Sequence, residues 1–147
     1  MPAAEGAPRQ LSIVVFAGAF DRVHYALTMA AAALAVNTPA TLFFTMGAIR
    51  ALVASGANED GWRDLLPTED GLSPADADAQ LIARKLASFE EMLSSCVTLG
   101  AKMMVCEMGL RAMGIAADEL RKDVPIVPGG LVTFLADASR DGAMVFV

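Results

Sequence analysis

Basic charge is scarce in this chain. Its 147 residues carry 11 Lys and Arg against 17 Asp and Glu, for a formal net charge of -6. Nucleic acid and anionic membrane surfaces both recruit basic faces, so neither is expected as a partner. Long apolar runs are also missing. The longest candidate, Tyr25 to Val36, falls short of the ~20 residues a spanning helix needs. The opening ten residues lack the apolar core of a signal peptide. They read as a disordered leader, 1–10, before a single domain, 11–147. Histidine occurs once and cysteine twice. No Cys-x-x-Cys is present, which removes most zinc-site patterns. No Gly-x-Gly-x-x-Gly and no Walker pattern appears, so neither a dinucleotide nor a nucleoside triphosphate is indicated. No metal and no cofactor is expected. Placed in the cytoplasm, the two thiols are expected free rather than bridged.

Apolar residues are what the chain has in excess. They make up 55% of it, and charged residues only 19%, against the usual ~45–50% and ~25%. A sheet hidden on both faces reads this way, and so does a domain that buries surface in an oligomer; both are expected. Five apolar, β-branched runs read as strands: Leu11 to Ala17, Ala40 to Met46, Ala101 to Val105, Val124 to Val127 and Ala143 to Val147. Between them lie helical patterns over Arg22 to Val36, Ala48 to Ala54, Ala75 to Leu99, the stretch after Cys106, and Leu131 to Ser139. The alternation predicts an α/β fold, three-layer α/β/α, with a five-stranded mainly parallel sheet. Ile82, Leu86, Phe89, Leu93 and Cys96 sit at the spacing of one helical face, so 75–99 reads as one helix. Asp21 reads as the cap of the first helix. The polar loop 55–74 holds the only tryptophan, Trp62, which reads as a hydrophobic peg rather than a lid.

In a parallel sheet the carboxyl ends of the strands open onto one edge, where ligands collect. Four junctions meet there: Gly18 to Asp21, Thr45 to Gly47, Cys106 to Met108, and Pro128 to Gly130. Gly18, Gly47, Gly129 and Gly130 let backbone amides approach a ligand closely. Cys106 alone at this edge is a nucleophile in its own right. It lies where a strand runs into a helix, and amides at a helix start favour a thiolate. Glu107 beside it works against this. His24, one turn into the first helix, is a candidate partner for Cys106, and Arg22 and Arg50 sit near the same rim. Cys96 reads as a small core residue, with a resolving thiol as its functional alternative. On residue type, Cys106 is either a reactive thiol or a buried strand-end cysteine.

The segment AKMMVCEMGLRAMGI resembles the cysteine motif of the DsrE/DsrF-like family, in particular its DsrE2/DsrE3 branch. There a strand ends in Cys, with Met two residues on and Met-Gly-Ile beyond. The matching residues are Cys106, Met108 and Met113-Gly114-Ile115. The segment LFFTMGAIRAL resembles the family's Phe-Phe-Thr strand end, which places Thr45 and Gly47 at the site. PGGLVTFLADASRDGAMVFV resembles its Gly-Gly helix and closing strand. The resemblance implies a flavodoxin-like domain that assembles as trimers or hexamers. It also implies sulfur trafficking, with a persulfide held on Cys106 and exchanged with rhodanese-like and TusA-like proteins. Such a protein is a sulfur carrier or low-turnover sulfurtransferase. The alternative is a small-ligand-binding or assembly module on the same fold. One position departs from the pattern: where the family commonly has Ser after the Met, this chain has Gly109, so a hydroxyl near the sulfur is missing.

Overall fold

The computed structural model describes residues 5–54 and 60–147. Part of the expected leader and part of the expected 55–74 loop therefore lie outside the described residues. The elements in chain order are β1 (Leu11–Val15), α1 (Phe20–Ala35), β2 (Ala40–Phe44), a 3-10 segment Met46–Leu52, a second at Gly61–Asp64, α2 (Pro74–Ala83), α3 (Phe89–Thr98), β3 (Lys102–Cys106), α4 (Glu107–Met113), a 3-10 turn Ala117–Glu119, β4 (Ile126–Gly129), α5 (Leu131–Asp137) and β5 (Ala143–Phe146). The five strands form one sheet in the order β4-β3-β2-β1-β5. Every neighbouring pair is parallel. The α/β fold expected from the strand runs is the one present.

Winding direction decides which face each helix covers. From β1 to β4 the chain steps one strand at a time in a single direction. Right-handed crossovers then place the connecting helices on one side of the sheet. The step from β4 to β5 returns to the free side of β1, so α5 lies on the opposite face. Strand residues alternate between faces, and the core divides accordingly. Ile13, Val15, Leu42, Phe44, Met103 and Val105 pack in the large cluster with α1 and α3. Val14, Phe43, Met104 and Cys106 form a small cluster with Phe134 of α5. Helix α5 has seven residues, about 10 Å at ~1.5 Å per residue. Five strands at ~4.8 Å spacing span about 19 Å. The second face is half covered, and Phe16, Leu135, Met144 and Phe146 remain exposed on and around it.

The single helix expected over 75–99 is two. Lys85 breaks it with a φ of 60°. Ser88 then starts α3 with a reciprocal capping box to Glu91, and the Asp78 carboxylate accepts the Phe89 amide at 2.7 Å. Three backbone donors are satisfied by this restart, which outweighs the continuous apolar stripe. Ile82 and Leu86 are consequently exposed. Asp21 is not the cap of α1 either. Ala19 holds that position without a side-chain bond, while Asp21 accepts the amides of Arg22 and Glu69. Pro128 fits β4 because β4 is an edge strand.

Trp62, in the polar loop, is the hydrophobic peg expected of it. It is 1% exposed, stacks on Phe89 at 5.3 Å between ring centroids and donates from Nε1 to Glu90 at 3.0 Å. Arg121 grips the same carboxylate with both terminal nitrogens and also binds Asp123. Those hydrogen bonds hold the guanidinium above its ordinary value. At the opposite end of the sheet, Asp137 accepts from Lys102, Thr41 and Gln10. Burial pushes this carboxyl up, but the three donors outweigh it and hold the group below its usual range.

Replacing Trp62 with Ala should cost about 3–5 kcal/mol of unfolding free energy in urea titration; a cost under about 1 kcal/mol would refute its role as an anchor. A depressed carboxyl stabilises the fold above its unfolded value, about 3.9, and that contribution disappears as pH falls through the folded value. Asp137→Asn should therefore be less stable than wild type near pH 6, with the gap closing below about pH 4. A constant gap across that range would contradict the assignment.

Candidate functional site: the cavity over Cys106

Strand β3 ends at Cys106, which is also the N-cap of α4. Its Sγ accepts the Gly109 amide at 3.3 Å. The strand parity that places Met104 under α5 turns Cys106 to the same thinly covered face. The residue is 2% exposed, more buried than a freely accessible thiol. It nevertheless lines a cavity of about 240 Å³. Its buried lining is Val14, Phe43, Thr45 and Cys106. Its exposed rim is Phe16, Met108, Leu131 and Phe146, with Met108 62% and Phe146 68% exposed. No charged side chain lines it among the described residues. Met46, also in the lining, has a φ of 49°, a conformation uncommon outside glycine and found often at functional sites.

Close backbone packing holds the strand ends in place. A Cβ on Gly18 would lie 3.0 Å from the Cα of Gly47, so the turns after β1 and β2 touch through bare backbone. A Cβ on Gly109 would lie 2.9 Å from the Met46 nitrogen and 3.0 Å from Thr45 Oγ1. This explains the missing serine: a side chain at 109 has no room here. It also shows where a hydroxyl is present instead. Thr45 is 7% exposed, lines the cavity, and its Oγ1 lies beside the residue that caps the sulfur.

The other expected residues divide. Met108 is on the rim. Gly129 is the register partner of Cys106 across β3 and β4, and Gly130 caps α5, setting Leu131 over the cavity. Gly18 and Gly47 meet backbone to backbone and do not line the cavity. Asp21 and His24, expected beside Cys106, instead line a separate hollow of about 270 Å³ with Tyr25 and Arg84. The His24 ring lies against Phe20, and Nε2 donates to the Ala87 carbonyl at 3.0 Å, so it pins α1 to the break between α2 and α3. Arg50 lines a third hollow, and Arg22 is exposed; neither lines the Cys106 cavity. Cys96 is fully buried in the large cluster, on the opposite face of the sheet from Cys106. Its Sγ donates to the Leu27 carbonyl at 3.1 Å, and burial pushes its thiol up to about 11. A resolving role does not fit that placement. The sequence reading missed Val14, Phe16, Phe43, Met46, Leu131 and Phe146. All but Met46 and Leu131 are strand-parity mates of Cys106 or flank one, a signal present in the alternation. No group of three or more His, Cys, Asp or Glu is placed to hold a metal among the described residues, and no helix among them is long and apolar enough to cross a membrane.

Gly109→Ala should destabilise the fold by about 1–3 kcal/mol, the usual cost of forcing extra carbon into a packed contact. Urea titration measures it, and an unchanged midpoint would show that α4 is not held against the Met46 segment as described.

No curated protein matches the chain. Among solved structures, a protein of unknown function from Methanobacterium thermoautotrophicum is similar, with a TM-score of 0.56 and 13% identity, over 94% of this chain and 98% of that one. At that identity the likeness speaks for the fold. The model of the DsrE/DsrF-like family matches residues 12–146, nearly the whole domain, and the chain belongs to that family.

Proposed function

We propose that this protein carries sulfur as a persulfide on Cys106 and exchanges it with partner thiols. The observation that supports this most is the Gly109 amide donated to Sγ at the base of a cavity that reaches the surface. Family membership points to a sulfur-relay role in general; the persulfide, its residue and its partners are the specific content of the proposal. In the loading step the Cys106 thiolate attacks the outer sulfur of a donor persulfide. The bond joining that sulfur to the donor breaks, and the donor leaves as its own thiolate. One sulfur atom moves and no outside oxidant is needed. Exchange of this kind depends on thiolate fraction and access. Rhodanese-like donors and TusA-like acceptors, in the reducing cytoplasm, are the partners this chemistry suits.

The apolar rim supports assembly as a homo-oligomer, trimeric or hexameric, because burying a large apolar side chain is worth about 1.5–3 kcal/mol. A second reading takes the 2% exposure of Cys106 as primary and makes the protein an assembly or ligand-binding module without sulfur chemistry. The two readings separate on one experiment. Incubation with a persulfide-loaded rhodanese-type protein should add one sulfur atom in intact-mass spectrometry. Cys106→Ser should remove that gain, and an added acceptor thiol should strip it from wild type. Unchanged mass in wild type would overturn the carrier reading.

A further inference from the structure

We infer that the Cys106 cavity loads directly from small, uncharged sulfane sulfur, such as elemental S8, and that Thr45 positions the arriving sulfur. The inference rests on the persulfide reading above and adds a donor class and a positioning residue to it. Size is the first argument. About 240 Å³ is below the ~300 Å³ where pockets for drug-sized ligands begin, so a peptide-sized thiol cannot lie wholly inside. Charge is the second. Among the described residues no Lys, Arg or His lines the cavity, so a dianion such as thiosulfate would shed its water without gaining a counter-charge. Polarizability is the third. Met46, Met108 and the phenylalanines in the lining make favourable contacts with divalent sulfur.

A hydroxyl on the cavity wall supplies the fourth. Thr45 is more than nine-tenths buried and lines the cavity. Its amide is bonded to the Val15 carbonyl, and its Oγ1 lies beside Gly109, the residue whose amide serves Sγ. The Gly109 amide already serves Sγ. The Thr45 hydroxyl is left for the next sulfur along the chain. In the step itself, the Cys106 thiolate attacks one ring sulfur and a new S–S bond forms. The adjacent ring bond breaks and its electron pair moves to the far end of the opened chain. The product is a polysulfide on Cys106 whose terminal negative charge emerges at the solvated rim.

The test compares S8, added from ethanol, with thiosulfate at equal sulfur concentration, read by intact-mass spectrometry over time. S8 should add whole sulfur atoms to wild type and none to Cys106→Ser, with thiosulfate at least tenfold slower. Thr45→Val should slow S8 loading about tenfold, the equivalent of one lost hydrogen bond of ~1.4 kcal/mol, and Thr45→Ser should restore it. Phe146→Arg, which sets a cation on the rim, should raise the thiosulfate rate. Thiosulfate loading faster than S8, or S8 leaving wild type unchanged while the rhodanese-type donor still loads it, would overturn this inference and leave the carrier reading standing. Equal rates for Thr45→Val and wild type would remove Thr45 from it. If neither the protein donor nor S8 adds mass, the carrier reading fails as well.

Discussion

The handedness of the crossovers is the constraint on which this molecule depends. Three successive right-handed steps send α1 to α4 to one side of the sheet, and only the last connection delivers a helix to the other. A seven-residue helix cannot cover five strands. The face that carries Cys106 is therefore finished with exposed phenylalanine and methionine rather than with a second layer of packed helices. The same alternation that puts Cys106 in the small cluster puts Val105 in the large one. Moving the cysteine by one residue would bury it under α1 and α3, where Cys96 already lies.

Around the sulfur, the local structure comes from backbone meeting backbone. Gly18 against Gly47 and Gly109 against Met46 bring three strand ends within contact distance. That closeness lets the first turn of α4 present an amide to Sγ. It also excludes a side chain at 109, so among the described residues the hydroxyl that lines the cavity is that of Thr45. The left-handed Met46 belongs to the same device, since it turns the chain straight from β2 into the 3-10 segment that α4 packs against. Packing and chemistry share these residues, so they cannot be varied independently.

Much of this was legible in the chain itself. Five apolar runs broken by helical patterns announced the parallel sheet, and the Cys-x-Met and Phe-Phe-Thr segments announced the strand ends that meet at the site. The helix break at Lys85 was hidden by a continuous apolar stripe, although the Ser88 to Glu91 capping box was there to be read. His24 and Asp21 line a different hollow from Cys106, because a position near the start of α1 says which edge a residue is on, not which face. The cavity lining was missed for a related reason. It is assembled from alternate residues of neighbouring strands, and their common face follows only once strand order and helix sides are known.

The central claim is that the Cys106 sulfur is reached through the half-covered face while Cys96 is sealed behind the other. Paired rates of alkylation by iodoacetamide, resolved by peptide mass spectrometry under native conditions, test it most directly. The account requires Cys106 to react at least tenfold faster than Cys96, and bulky maleimides to lose that advantage because the cavity is small. Equal protection of both thiols until the protein unfolds would contradict it.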